Sequence, residues 1–390
     1  MGCNNVRIGD VASFRKVSVR PNAGTIYYCY SLPAFDNARK PEILDGSEIL
    51  SNKLHVEDGD ILVNKLNMRF KRIWPINNPH DNSVCSTEFV PLCPNDKINR
   101  DYLLYTLMSD DFTSTLSRMR TGTSGSHQRV KPEWILDYQF PLPSIEDQRK
   151  IGRCLSTLDQ KIAINTRLNG YLEELFDSCF KQSLNMVDET WDTASLLDIA
   201  DYKNGLAMQK FRPNIGDKGL PVLKIRELGQ ESCGKDAERC RSDIDESVTV
   251  HDGDLVFSWS GTLLLRFWAG GDAGLNQHLF KVTSEVYPSW FYYAWTKHHL
   301  ARFTMLAKDR ATTMGHIKRS ALEESEVLLP PKEKLTMQTK CMQPIIDQVI
   351  ANKIEVRKLA ALRDALLPKL MSGEIDVSKI DLTQLNSHLV

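Results

Sequence analysis

Val56-Glu57-Asp58-Gly59-Asp60-Ile61-Leu62-Val63 returns as Val250-His251-Asp252-Gly253-Asp254-Leu255-Val256-Phe257. In both copies an Asp-Gly-Asp turn feeds an apolar run, which reads as a turn entering a buried strand. The surroundings repeat in the same order. Downstream of the first copy lie a probable helix from about Asn99 to Met119, the loop Thr121-Gly122-Thr123-Ser124-Gly125-Ser126 and the entry Pro141-Leu142-Pro143. Downstream of the second lie a probable helix from Trp290 to Leu306, the loop Ala311-Thr312-Thr313-Met314-Gly315-His316 and the entry Leu328-Leu329-Pro330-Pro331. A period of about 190 residues is far beyond the ~20–50 of a solenoid unit. The chain is therefore a duplicated domain-plus-helix, and its short strands mixed with helices predict an α/β or α+β domain.

The helix that closes each copy carries the clearest pattern. Leu155, Leu158, Ile162, Asn165, Asn169, Leu172, Phe176 and Cys179 advance by alternating three and four. Met342, Ile345, Val349, Asn352, Val356, Leu359, Arg363, Leu366 and Leu370 do the same, with Asn352 falling on Asn165. Sustained 3–4 spacing is a coiled-coil seam, in which a buried Asn typically gives up stability to fix register. The alternative is two amphipathic helices packed on their own domains. A seam of about ten turns exceeds the average globular helix of ~11–12 residues and favours the coiled coil. Ser144 is the expected N-cap of the first helix, ahead of Glu146 and Asp147 at the positive end of its dipole. Pro344 is expected to kink the second helix or delay its start, and Pro368 to bend or end it, since an interior proline costs ~3 kcal/mol. If the second helix runs back along the first, the halves are related by an approximate two-fold axis, the symmetry that matches the dyad of duplex DNA.

Composition excludes several classes. At 390 residues, with 42% hydrophobic and 25% charged residues, the chain has room for two or three ordinary globular domains. No run of ~18 apolar residues predicts a membrane span, the N-terminal residues lack an apolar signal core, and the sequence after Gly2 suits myristoylation poorly. The nine cysteines show no C-x-x-C or metal spacing and read as reduced thiols in a cytoplasmic protein without a metal site. A net charge of −1 does not advertise a nucleic-acid ligand, but its distribution does. Lys65, Arg69, Lys71 and Arg72 cluster without an acid, as do Arg118, Arg120, Arg129 and Lys131 beside the first Gly-bearing loop. Arg302, Lys308, Arg310, Lys318 and Arg319 stand at the corresponding place in the second copy. One such run alone reads as a solvated face; recurrence in both copies points to a working surface.

Pro141-Leu142-Pro143-Ser144-Ile145-Glu146-Asp147-Gln148-Arg149-Lys150-Ile151 resembles the PLPxxExQxxI entry to the conserved helices of type I restriction–modification specificity subunits. Leu158-Asp159-Gln160-Lys161-Ile162, Leu168-Asn169 and the ending Leu366-Leu367-Pro368-Lys369-Leu370-Met371-Ser372-Gly373-Glu374-Ile375 fit the same family. The resemblance covers essentially the whole chain; the departure is Lys334-Leu335-Thr336-Met337-Gln338, which dilutes the acidic-Gln signature at the start of the second helix. It implies an α+β chain with two pseudo-repeated α/β target-recognition domains, separated by two long helices packed as an antiparallel coiled coil. The expected boundaries are residues 1–143 and 190–331 for the domains, 144–183 and 332–373 for the helices, and 374–390 for a tail. It also implies a non-catalytic subunit that reads a bipartite sequence in double-stranded DNA, one half per domain, with the helices setting the gap. The implied partners are two N6-adenine methyltransferase subunits and the motor-nuclease (restriction) subunits. S-adenosylmethionine, ATP and Mg are expected on those partners and no cofactor on this chain.

The residues agree independently with a non-catalytic chain. No Asn/Asp-Pro-Pro-aromatic tetrapeptide is present (Asn78-Pro79-His80 is nearest), nor a phosphate-binding G-x-x-x-x-G-K-S/T loop, nor a G-x-S-x-G elbow. The Asp58/Asp60 and Asp252/Asp254 pairs bracket a glycine and read as turns, not nuclease carboxylates. Arginine can fork onto guanine, Asn or Gln can pair with adenine, and lysine mostly anchors phosphate. These chemistries nominate Asn64, Lys65, Asn67, Arg69, Ser126, His127, Gln128, Arg129 and Lys131 in the first copy as DNA contacts. In the second they nominate Ser258, Arg266, Asn276, Gln277, His278, Thr313, His316, Lys318 and Arg319. The rivals are a coiled-coil interaction scaffold with no DNA role and a self-sufficient DNA-modifying enzyme. Salt-dependent duplex binding and methyl transfer by the isolated chain discriminate them.

Overall fold

The computed structural model describes residues 4–37, 39–119, 129–309 and 317–377. Its two Asp-Gly-Asp turns are built alike. Gly59 and Gly253 take φ of +88° and +96°, a region open chiefly to glycine. The Asp60 and Asp254 carboxylates accept the backbone N–H of Glu57 (2.9 Å) and His251 (2.7 Å). Those of Asp58 and Asp252 accept the N–H of Asn78 (2.7 Å) and Gly271 (2.8 Å) across the next turn. Asp60 is buried against the Arg15 guanidinium at 2.9 Å, and Asp254 meets Lys281 at 2.9 Å. All four carboxylates are thus structural, as the turn reading expects.

The strands that follow are wholly buried. Ile61–Asn64 lies between Phe89–Pro94 and Ile73–Pro75 in an antiparallel sheet edged by Ala12–Phe14. Leu255–Ser258 holds the same place between Leu279–Thr283 and Leu265–Phe267, edged by Asp201–Asn204. A second sheet in each copy contains one parallel pair, Ile26–Tyr30 with Ser83–Cys85 and Leu220–Leu223 with Ala273–Leu275. It has five strands in the first copy and four in the second. A ribbon, Asn4–Arg7 with Gln139–Leu142 or Asp192–Ser195 with Glu326–Leu329, places each copy's first strand beside the one leading into the long helix.

The helix expected over 99–119 is two, Arg100–Met108 and Asp110–Arg118. Ser109 is extended (ψ 151°), and its hydroxyl accepts the Phe112 N–H at 3.2 Å. Ser109-Asp110-Asp111 supplies an N-cap and an acidic first turn, so a new helix starts there. The second copy's helix, Ser289–Asp309, is unbroken.

The long helices are Ile145–Leu184 and Lys332–Met371, 40 residues each. Ser144 caps the first as expected, accepting the Asp147 N–H at 3.1 Å. The second starts before Pro344 and runs through both prolines, so neither a late start nor an end at Pro368 is found. Pro344 and Pro368 are exposed while Met342, Ile346, Val349 and Leu370 are buried, so the backbone groups freed by the rings lie on the solvent side and packing holds the helix. Gly373, with φ +75°, provides the left-handed residue just beyond its end.

The chain divides into two compact units, Met1–Gln160 with Ala360–Val390, and Lys161–Leu359. Each contains one globular copy and a part of both long helices, whereas the boundaries drawn from sequence set the helices apart. In the second unit Asn165 Nδ2 donates to Glu355 Oε2 (2.6 Å), Asn352 Nδ2 to Asn169 Oδ1 (2.8 Å) and Asn169 Nδ2 to Val349 O (3.2 Å). Numbers rise on one helix as they fall on the other, which is antiparallel packing. In the first unit Asp159 meets Arg363 at 2.7 Å, and Ile151 and Leu155 share a core with Leu366 and Leu370. Leu155, Leu158, Asn165, Val349 and Asn352 are buried, and Ile162, Leu172, Ile345, Val356 and Leu359 half-buried. Asn165 and Asn352 match in sequence but do not pair; Asn352 pairs with Asn169.

Candidate nucleic-acid interface

The last residue of each central strand pins the hairpin beyond it. Asn64 is fully buried, its Nδ2 donating to Leu66 O (2.8 Å) and its Oδ1 accepting the Arg72 N–H (3.3 Å). Ser258 is equally buried; it donates to Thr262 O and accepts the Leu264 N–H at 2.8 Å. Both are among the residues that the sequence marks as DNA contacts. Both have spent their polar atoms on the loop backbone and shape the hairpin without reaching its surface.

The next residue receives the chain returning from the Gly-bearing loop. Val130 N–H donates to Lys65 O and Ile317 N–H to Trp259 O, each at 3.0 Å. Ser126, His127, Gln128, Thr313 and His316, nominated within those loops, lie outside the described residues. Immediately after them Lys131 and Lys318 occupy the N-cap positions of the short helices Pro132–Leu136 and Arg319–Glu323. Lys131, Lys318 and Arg319 are exposed, and the Lys131 ammonium lies 5.5 Å from the Trp134 ring centre.

The first unit's hairpin carries the basic run Lys65, Arg69, Lys71 and Arg72, and acids remote in sequence tie down several cations in and around it. Arg72 forks onto Asp36 with two contacts of 2.7 Å. Lys71 reaches Asp110 (2.5 Å) and Met108 O (3.0 Å). Arg129 meets Glu88 at 2.6 Å. Asn67 takes a left-handed φ of +56°, and its Oδ1 accepts from Arg69 Nε at 2.7 Å. The run is therefore braced, and less free than its composition suggests.

The second unit's hairpin, Trp259-Ser260-Gly261-Thr262-Leu263-Leu264, has no charge. Trp259 Nε1 donates to Asn204 Oδ1 (3.1 Å), and the His278 ring approaches Ser260 Oγ at 3.1 Å. Gln277 lies beside His278, and its buried Oε1 has no hydrogen-bond partner among the described residues. Asn276 is buried, its Oδ1 accepting the His278 N–H at 3.4 Å, so it supports this corner from beneath. Arg266 lies elsewhere. It meets Glu231 at 3.4 Å, and Glu231 also holds Lys353 of the second long helix at 2.9 Å. Arg266 thus belongs to the contact between globular part and helix, where Arg357 also forks onto Asp252 at 2.9 and 2.7 Å.

Two residues in that type of contact were missed by sequence reasoning. Gln148, from the entry motif, accepts the Asn99 N–H at 2.8 Å and so holds the start of the helix Arg100–Met108. The second long helix has Leu335 at the matching place, and Gln343, about two turns on, accepts from Ser289 Oγ (3.2 Å) and the Trp290 N–H (3.3 Å). Gly152 is the other: a Cβ there would stand 2.8 Å from Asn99 Oδ1 and 2.9 Å from Asp101 Cβ. A glycine inside a long helix was the available signal.

Residues 2–174 and 188–363 each match the family model described as the type I restriction modification DNA specificity domain. The chain belongs to the type I restriction–modification specificity subunit family. It is 21% identical over 323 residues to the type I restriction enzyme MjaIX specificity subunit of Methanocaldococcus jannaschii, covering 75% of this chain and 73% of that protein. It is also 21% identical over 403 residues to the HindI specificity subunit of Haemophilus influenzae, covering 83% and 88%. Its fold is similar to the crystal structure of a type I restriction–modification S subunit from M. genitalium, with a TM-score of 0.62 and 13% identity over 95% of this chain and 96% of that one.

Specificity subunits are non-catalytic, which accords with the Asp-Gly-Asp carboxylates being bound up in turns. Among the described residues of this S subunit no helix is long and apolar enough to cross a membrane.

Proposed function

We propose that this specificity subunit reads a bipartite sequence in duplex DNA, one half per unit, with the paired helices setting the gap. The observation that carries the reading is the recurrence of one strand-end corner in both units. A buried residue pins a hairpin there, Val130 or Ile317 bonds to the residue after it, and an exposed lysine, Lys131 or Lys318, follows at once. Lys65, Asn67, Arg69, Arg129 and Lys131 supply the first reader's side chains, and Gln277, His278, Lys318 and Arg319 the second's. Ser126, His127, Gln128, Thr313 and His316 are assigned to the same readers through their loops.

The helices also offer a surface to partners. Ile164, Leu168, Tyr171 and Leu175 are exposed by 39 to 62% at three–four spacing, a row outside the seam. Such a stripe suits an amphipathic helix of a partner. It supports docking of the two methyltransferase subunits, which would carry S-adenosylmethionine, and alongside them the motor-nuclease subunits with ATP and Mg. The test is the methylome of a host carrying this chain with its methyltransferase partner. The reading expects N6-methyladenine in two short defined sequences separated by a fixed unspecified gap. A contiguous motif, or methylation independent of the chain, would count against it.

A further inference from the structure

Phe70 stands out at the tip of the first unit's hairpin. It is 52% exposed, although a phenylalanine normally finds cover in a core. The Arg69 and Arg72 guanidiniums lie 5.6 and 5.1 Å from its ring centre. The loop beneath is fixed by the left-handed Asn67, the Phe70 N–H to Asn67 O bond (3.1 Å), the Arg72 fork onto Asp36 and the Lys71 tie to Asp110. An apolar ring is thereby held outward on a rigid cationic stalk. Among the described residues the second unit's hairpin has no equivalent: Trp259 is half-buried, bonded to Asn204 and packed 5.9 Å from the Phe280 ring.

We propose that Phe70 is a wedge that enters a base step of duplex DNA in the half-site read by the first unit. The inference rests on the DNA-reading function proposed above and adds a contact of a different kind. An apolar side chain inserted between base pairs unstacks them and bends the duplex, a cost recovered in added protein–DNA contact. The Arg69 guanidinium beside the ring suits this, since a cation there would face the phosphates that the ring must pass between, while Arg72, forked onto Asp36, fixes the loop. A pre-ordered loop suits it too, because little side-chain freedom remains to be lost on binding. Pyrimidine–purine steps unstack most easily, so the first unit's half-site should contain or adjoin one. The unequal tips assign the wedge to one half-site only.

The test uses the full chain assembled with its methyltransferase partner and a duplex bearing the methylated sequence, with 2-aminopurine placed successively through the first half-site. For the parent, fluorescence should rise at one step. Phe70→Ala should lose that rise and bind about 10- to 100-fold more weakly, the range expected for removing an aromatic–base contact. Its log–log salt slope should not change, because no phosphate contact is lost, whereas Arg69→Ala should flatten the slope. Phe70→Trp should retain both signal and affinity. Parent-like affinity in a folded Phe70→Ala protein, or a parent duplex with no unstacked step, overturns the wedge and leaves the reading function standing. Absence of salt-dependent duplex binding by the parent would overturn both.

Discussion

At the scale of single residues, the seam amides show how position and partner differ in legibility. Alternating three–four spacing places Asn165 and Asn352 inside the helix pair, and both are buried. Their partners were not legible, because spacing along one helix says nothing about which residue of an antiparallel neighbour stands opposite. The Asn352–Asn169 bond gives a specific expectation. Asn352→Leu alone leaves a buried Asn169 Oδ1 unsatisfied and should destabilise the second unit by about 1–3 kcal/mol. Adding Asn169→Leu removes both polar partners and should recover most of that loss, with a looser register as the consequence. Denaturant unfolding of the two single variants and the double closes the cycle; additive losses would contradict the pairing. His251 supports a second expectation. Its ring nitrogens lie 2.8 Å from Asp272 and from Glu246, and the Asp272 hydrogen bond, with Glu246 adding to it, raises its pKa. A raised folded-state pKa contributes stability that is complete below the ordinary value of about 6.5 and disappears as pH climbs through the folded value. Thermal midpoints should therefore fall between mildly acidic and mildly alkaline buffer. His251→Gln should reduce that slope, and an unchanged slope would show that the imidazolium contributes nothing.

At the scale of elements, the existence and type of the long helices were legible, while their details depended on what they touch. The break at Ser109 has a readable cause, yet the periodicity of Phe112 and Leu116 continues that of Tyr102 and Tyr105 and masks it. Pro344 and Pro368 announce a lost hydrogen bond in the sequence but not that it lies on the exposed face, where the helix continues through them. Gly152 yields a prediction whose sign depends on packing. Judged by helix propensity, Gly152→Ala should stabilise by about 1 kcal/mol. The added methyl would instead press on Asn99, which caps Arg100–Met108 by accepting the Tyr102 N–H at 3.1 Å. Overpacking against a fixed cap should make the variant less stable by about 1–3 kcal/mol in denaturant unfolding. A stabilised variant would mean that the helix and the recognition domain part easily at this point.

At the scale of the whole molecule, the duplication was fully legible because it is written in turns, strands and helix entries that recur in order. The proposed DNA surface was less so. The acids bracing its cations, Asp36, Glu88 and Asp110, come from distant segments, and a run that looks free in sequence is tied in space. Asn64 and Ser258 looked like readers because polarity at a strand end does not disclose burial. In the proposed function the chain joins two readers through helices whose length sets the distance between half-sites. Seven residues inserted into the middle of each long helix keep the seam in phase and add ~10 Å at ~1.5 Å per residue, or roughly three base pairs at ~3.4 Å each. The most direct test is the methylome of a host carrying the extended chain with its methyltransferase partner, compared with that of the parent. The extended chain should direct methylation to the same two half-sites separated by a gap about three base pairs longer. An active extended chain that methylates sites with the parental gap would contradict this role of the helices.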